Sequence, residues 1–324
     1  MENNVFKVVL LQALPASGKS EVRNFMANIE PERLKQEFHI GENLQLDDFP
    51  YVHMMRRIDN ELQAMGHARV FYPGEEPFID GRDWGTLCCL LNEDYHDLLN
   101  RNVQKPDSAA QLLFDRYDRA AQIAGLAPRL GLLPEDVRKK LAEKLEDEAA
   151  AMLREKQAAY PDSFEGKIII IECARGGPDG ASMPLTGSNG YQYSLPMFCP
   201  EILENAAILY IWVTPEESRR KNADRADPNV PGSNLHHGVP LAVMLGEYGC
   251  DDMEYLVKTS DVPNTVRVPA HGTTYHVPIG IFDNRVDKTS FLRAEPDAWD
   301  EAKVQEVTTA IREATDAMWS HYQK

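Results

Sequence analysis

Gly166 is followed by Lys167-Ile168-Ile169-Ile170-Ile171, four consecutive isoleucines that end on an acid, Glu172. The run leaves no polar residue for a solvent face, its β-branched side chains favour extended backbone, and it is too short for a helix. A segment of this kind is a strand covered on both sides, and such strands belong to parallel sheets buried under their own crossover helices. Val5–Gln12 and Ala206–Val213 read the same way. Leu44–Asp47 gives a shorter strand, ended by Asp47-Asp48-Phe49-Pro50, and His276–Phe282 gives a fifth. Helical stretches lie between them, the first from about Lys19 to Asn28 and stopped near Pro31. The fold class expected is α/β: a central parallel sheet of about five strands, joined by right-handed βαβ crossovers and flanked by helices.

Two stretches break the rhythm. Residues 50–165 contain almost no strand pattern. Leu141, Leu145, Ala149, Met152 and Leu153 mark one face of a long helix starting near Pro134, and Leu112, Leu113, Tyr117, Ala120 and Ala124 mark another. This predicts a large helical insertion, residues 50–165, on the functional edge of a core made of residues 1–49 and 166–324. Residues 222–275 are rich in Gly, Pro, Asn and His with weak periodicity, so a lid or loop region is expected over 219–275. A closing helix, residues 297–322, carries the stripe Val304, Val307, Ile311, Ala314 and Met318 and is expected to pack over the sheet.

Charge and cysteine usage bound the partners. With 51 acidic against 34 basic residues the net charge is −17, which argues against a long nucleic acid as partner but allows a local basic pocket for a small phosphorylated ligand. No apolar run approaches the roughly 18 residues of a membrane span, and the start lacks a basic flank and apolar stretch, so no membrane association is expected. The five cysteines (Cys88, Cys89, Cys173, Cys199 and Cys250) are odd in number and form no Cys-x-x-Cys pair. They read as reduced thiols in a cytoplasmic protein.

The segment Ala13-Leu14-Pro15-Ala16-Ser17-Gly18-Lys19-Ser20 follows the first strand and opens a helix. A tight loop in this place turns successive N–H groups inward as an anion nest, and the helix adds its positive end. Gly18 permits close backbone approach, Lys19 supplies a mobile point charge, and Ser20 offers a hydroxyl to a cation. The segment resembles the Walker A motif of P-loop NTPases, with Ala13 in place of the first glycine. Its Ser17-Gly18-Lys19-Ser20 ending is similar to that of the nucleoside- and nucleotide-kinase branch. The resemblance covers the strand framework and not the insertion. It implies ATP and Mg²⁺ as cofactors, with Ala13, Pro15, Ala16, Ser17, Gly18, Lys19, Ser20 and Glu21 around the nucleotide, Lys19 acting on the phosphates and Ser20 on the metal.

Further charged groups fall at strand ends, where ligands of open α/β sheets sit. Asp47 and Asp48 resemble the acidic strand end of kinases acting on small hydroxyl-bearing acceptors; either a catalytic role, assigned to Asp48 with Asp47 on the substrate, or capping of the helix at Pro50 explains them. Ile168–Ile171 with Glu172 resembles a Walker B strand with Glu in place of Asp, which implies a metal or catalytic carboxylate. Arg175, before Gly176-Gly177, is expected at substrate phosphate or as a surface charge. Thr214-Pro215-Glu216-Glu217 is a capping box opening a helix that carries Arg219, Arg220, Lys221 and Arg225. Its position resembles a nucleotide-kinase lid, with Arg220 and Arg225 closing on the phosphates, or it is a solvated face. These two are five apart, so the helix is expected to end or bend between them and residues 219–235 to order on ligand binding. Asn284-Arg285-Val286-Asp287 resembles a guanine-reading motif with Arg for Lys, and Asn284 is expected in the base-side loop of an ATP site. The histidines His236, His237, His271 and His276 match no zinc spacing. Tyr51, Phe71, Tyr72 and Trp84 suit either burial or stacking on an acceptor ring. The function expected is an ATP- and Mg²⁺-dependent kinase of a small acceptor, a nucleoside or nucleotide first; the alternative is a nucleotide-dependent switch that docks a partner.

Overall fold

The computed structural model describes residues 4–225 and 238–322, with the Arg225 side chain outside the description. Six strands form one sheet in the order β2-β3-β1-β4-β6-β5. Strands β1 (Val8–Gln12), β2 (Glu42–Asp47), β3 (Lys167–Cys173), β4 (Ala206–Trp212) and β6 (Thr273–Asp283) run parallel, and β5 (Thr265–Ala270) is an antiparallel edge on β6. Helices α1 (Lys19–Ala27) and α2 (Pro31–Phe38) join β1 to β2. The excursion from β2 to β3 is α3 (Phe49–Ala64), α4 (Asp83–Asn100), α5 (Ala109–Ile123) and α6 (Glu135–Ala158). Between β3 and β4 lie α7 (Gly190–Ser194) and α8 (Pro200–Asn205), and after β4 come α9 (Pro215–Arg225), α10 (Leu241–Gly246) and α11 (Met253–Thr259). The chain closes with α12 (Glu301–Tyr322).

Side-chain alternation divides the sheet between two cores. Val9, Leu11, Ile168 and Ile170 pack with α1, α2 and α12, through residues such as Phe25, Phe38 and Ile311. Val8, Leu10, Ile169 and Ile171 face α8, α11 and one side of α4, through Ile202, Met253 and Leu91. The isoleucine strand is therefore buried on both faces, as its composition requires. A third core joins α3, α4, α5 and α6 around Ile58, Leu87, Phe114 and Leu145. Helix α4 belongs to two cores, with Leu87 and Leu90 turned to the helical layer and Cys88, Leu91, Tyr95 and Leu98 turned to the sheet. That double role seats the helical layer on the sheet edge. Among the described residues no helix is long and apolar enough to cross a membrane.

The connection leaving β1 turns towards β2, whereas the one leaving β4 turns towards β6. Two diverging connections open a crevice at the carboxyl ends of these strands. Helix α1 ends at Ala27 with Asn28 as its cap, short of Pro31 as expected, and Pro31 then starts α2, because the Glu30 carboxylate accepts from the N–H groups of Glu32 and Arg33 and proline suits the first helical position. Two expectations are corrected. Residues 238–275 are ordered as α10, α11 and β5 rather than loop, and β5 raises the strand number to six. Pro269 sits in β5 without harm because an edge strand has a side with no ladder, and His271 and Gly272, at φ 51° and 76°, make the tight hairpin turn to β6. Finally, α9 runs unbroken to Arg225, so no bend separates it from Arg220.

Candidate functional site

A cleft of about 450 Å³ lies beside the loop after β1, at the carboxyl ends of β2 and β3. The loop after β1, the ends of β2 and β3, and the starts of α3 and α4 wall it. Pro15, Ala16, Ser17, Gly18, Lys19, Ser20, Glu21, Asp47, Asp48 and Glu172, all singled out in the sequence, line it together. Ala13 is fully buried beneath the loop.

The loop is held by its carbonyls. Pro15 O accepts from the Ser218 hydroxyl of α9 at 2.7 Å, and Ser17 O accepts from Asn284 Nδ2 at 2.7 Å. Leu14 O accepts from Lys19 Nζ at 3.4 Å. Among the described residues, the N–H groups of Ser17, Gly18, Lys19 and Ser20 meet no acceptor. Ala16 and Gly18 are left-handed, at φ 53° and 106°, which is the kind of turn that makes an anion-binding concavity. Gly18 is required twice over: besides its φ, a Cβ there would stand 2.5 Å from Thr289 Oγ1 and 3.0 Å from Asn284 Nδ2.

Three carboxylates face this loop. Parallel register pairs Asp47 of β2 with Glu172 of β3, and Glu172 with Leu11 of β1. Paired residues share a face, so the two acids are neighbours at the strand ends. Burial first, then the charges of Glu172 and Asp48, push the Asp47 carboxyl up to about 7, against the Phe49 N–H and Arg23, which favour its ionised form. Glu172 is 3.0 Å from Arg23 Nη1 and 3.9 Å from Lys19 Nζ. Asp48 is only 8% exposed and holds the Arg175 guanidinium at 2.6 Å. Its side chain makes no cap bond to α3; the helix start is instead served by Asp47, whose Oδ1 accepts from Phe49 N–H at 2.9 Å.

Arg175 does not line the cleft. It is 1% exposed, lies behind Asp48, donates to Ala174 O, and has its guanidinium carbon 4.7 Å from the centre of the Trp84 ring. A buried guanidinium between a carboxylate and an indole positions the carboxylate rather than contacting a ligand. Asn284 likewise stands behind the loop, fully buried, with Thr289 as its second partner. Arg220 is on the outer face of α9, half-exposed and paired with Glu217 at 2.7 Å and Asp224 at 2.6 Å. Thr214 caps α9, its Oγ1 accepting from Glu217 N–H at 3.2 Å, while the Glu217 carboxylate pairs with Arg220. Arg225 ends that helix with its side chain outside the described residues, as are His236 and His237. His271 and His276 bond separately, to Phe198 O and Asp261.

The second half of the cleft is lined by Phe49, Val52 and Arg56 of α3, Trp84 of α4, and Val243 and Tyr248. Positions 49, 52 and 56 share one face of α3, a spacing that could have marked them. Tyr51, Phe71 and Tyr72 are buried in the helical core, so of the four aromatic candidates Trp84 alone lines the cleft. Arg23, Arg293 and Ser218 were passed over in the sequence. Arg23 follows Ser20 by three residues on α1, whereas Arg293, paired with Glu21 at 2.7 Å, and Ser218 come from distant segments with no local signal. Against known proteins, neither family models nor curated proteins nor solved structures give a match to this chain.

Proposed function

We propose that the chain is a phosphotransferase of P-loop kinase type, moving the γ-phosphoryl group of ATP to a small hydroxyl- or phosphate-bearing acceptor, a nucleoside or nucleotide in first place. One observation carries the reading. The N–H groups of Ser17, Gly18, Lys19 and Ser20 meet no acceptor among the described residues, and these four residues line the same cleft as Asp47, Asp48, Glu172, Trp84 and Tyr248. These N–H groups and the Lys19 side chain suit the β- and γ-phosphates. Ser20, Glu172 and Asp47 supply the oxygen donors that a Mg²⁺ ion accompanying the nucleotide prefers, and its charge would relieve the repulsion within the acidic pair. Asp48, fixed by Arg175, presents its remaining oxygen to the acceptor.

In the transfer, the acceptor oxygen forms a bond to the γ-phosphorus as the bond to the β–γ bridging oxygen breaks. ADP leaves with that electron pair, and the acceptor's proton passes to the Asp48 carboxylate and on to solvent. Such a step asks mainly for alignment and charge neutralisation, which Asp48 and Lys19 provide. Phe49, Val52, Trp84 and Tyr248 hold the apolar body of the acceptor beside them. Equilibrium binding of ATP, with and without Mg²⁺, tests the reading. Wild type binds, Lys19→Ala loses about tenfold or more in affinity, and Glu172→Gln loses the Mg²⁺ dependence. Absence of ATP binding by the folded wild type overturns it.

A further inference from the structure

His96, Cys199 and Glu201 stand outside the cleft, and one ligand atom from each lies within 4.8 Å of the other two. We propose that they bind a divalent transition-metal ion of the zinc class. The three residues come from two elements, His96 from α4 and the other pair from the entry into α8. The approach is built rather than incidental. Asn92, one turn before His96 on the same face of α4, donates to Met197 O at 2.8 Å and accepts from Cys199 N–H at 3.0 Å. From the other side, the His271 ring lies 2.7 Å from Phe198 O. The short segment that carries the thiol is thus pinned between α4 and the β5–β6 hairpin.

The donor set is the kind zinc takes. Thiolate, imidazole and carboxylate are its protein ligands, and three of them leave a fourth position for water. His96 Nε2 and Glu201 Oε2 are already 3.7 Å apart. Two such atoms on one tetrahedral zinc stand about 3.3 Å apart, so small rotamer changes close the site. The His96 and Glu201 side chains are 47% and 58% exposed, which gives an ion entry from solvent, while Cys199 forms a floor that is only 9% exposed. On binding, the Cys199 S–H bond breaks as the sulfur–metal bond forms, and the proton goes to solvent without any change of oxidation state. The bound ion would tie α4 to the segment that leads into β4.

Cobalt(II), titrated into the full chain after removal of metals with EDTA, gives the test, because a thiolate ligand adds a sulfur-to-metal absorption in the near ultraviolet. The expected result is such a band saturating at one equivalent and abolished by added zinc. Cys199→Ser removes the band and His96→Ala weakens binding about tenfold or more, while Cys250→Ser leaves both unchanged. The proposal is overturned by absence of the band in wild type, by its survival in Cys199→Ser, or by unaltered affinity in His96→Ala. Circular dichroism of each variant keeps loss of the fold separate from loss of a ligand.

Discussion

Replacing one aspartate at the end of β2 should stabilise the protein, and replacing its neighbour should do the reverse. Asp47 titrates near 7 instead of near 3.8, because burial and the charges of Glu172 and Asp48 all disfavour its ionised form. At roughly 1.4 kcal/mol per pH decade, ionised Asp47 opposes folding by up to about 4 kcal/mol at pH 8. Asp47→Asn removes that charge and keeps an oxygen for the Phe49 N–H. Allowing for solvent screening, the gain in unfolding free energy is about 2 kcal/mol. The sign with pH follows from linkage. A folded value above the unfolded one means that the folded chain keeps a proton the unfolded chain has released, between about pH 4 and 7. Stability from this group therefore falls as pH rises through that window, and the benefit of Asp47→Asn vanishes near pH 4. Asp48→Asn instead strips the counter-charge from Arg175, which is 1% exposed. Breaking a buried pair from one side costs about 3–5 kcal/mol. Urea unfolding without nucleotide or divalent cation, at about pH 8 and pH 4.5, reads both. A neutral or destabilising Asp47→Asn at pH 8, or an equal effect at both pH values, would refute the reasoning.

Other consequences can be checked with single substitutions. Gly18→Ala forces a side chain into φ 106° and against Thr289, so it should cost about 1–3 kcal/mol in thermal unfolding and abolish ATP binding, whereas Gly66→Ala, with nothing within 4 Å, should leave ATP binding unchanged. Ser218→Ala and Asn284→Ala each release one loop carbonyl, and each should weaken ATP affinity about five- to tenfold by calorimetry, in line with about 1 kcal/mol for a hydrogen bond. Trp84→Leu should raise KM for the acceptor while leaving ATP affinity within about twofold, because the indole lines the half of the cleft that is proposed to take the acceptor.

The parts legible in the sequence were those with local signals. Uninterrupted apolar runs at Ile168–Ile171 and Ala206–Val213 identified doubly covered strands, and the Thr214-Pro215 start of α9 followed from capping chemistry. The turn from Ala13 to Ser20 was readable because the apolar run of β1 stops there and α1 starts at Lys19, straight after Gly18. What could not be read was direction. Arg175 and Arg220 looked alike as cations near strand ends, yet one is sealed under Asp48 and the other faces solvent, a difference set by packing against α4 and by acids one turn away on α9. Asn284 stood at the expected strand end, but its amide turns to the back of the loop. Strand β5 was hidden by Pro269, which an edge tolerates and a central strand would not.

The proposed transfer of phosphate to an acceptor is followed with the label from γ-³²P-ATP in the presence of Mg²⁺. Wild type, Lys19→Ala and Asp48→Asn are each incubated with a panel of nucleosides, nucleotides and sugars, and labelled products are separated from ATP and inorganic phosphate. The expected result is a labelled acceptor with at least one compound, ATP consumption that depends on that compound, and loss of transfer in both variants. Acceptor-independent release of inorganic phosphate, or labelling that persists undiminished in Lys19→Ala, would contradict it.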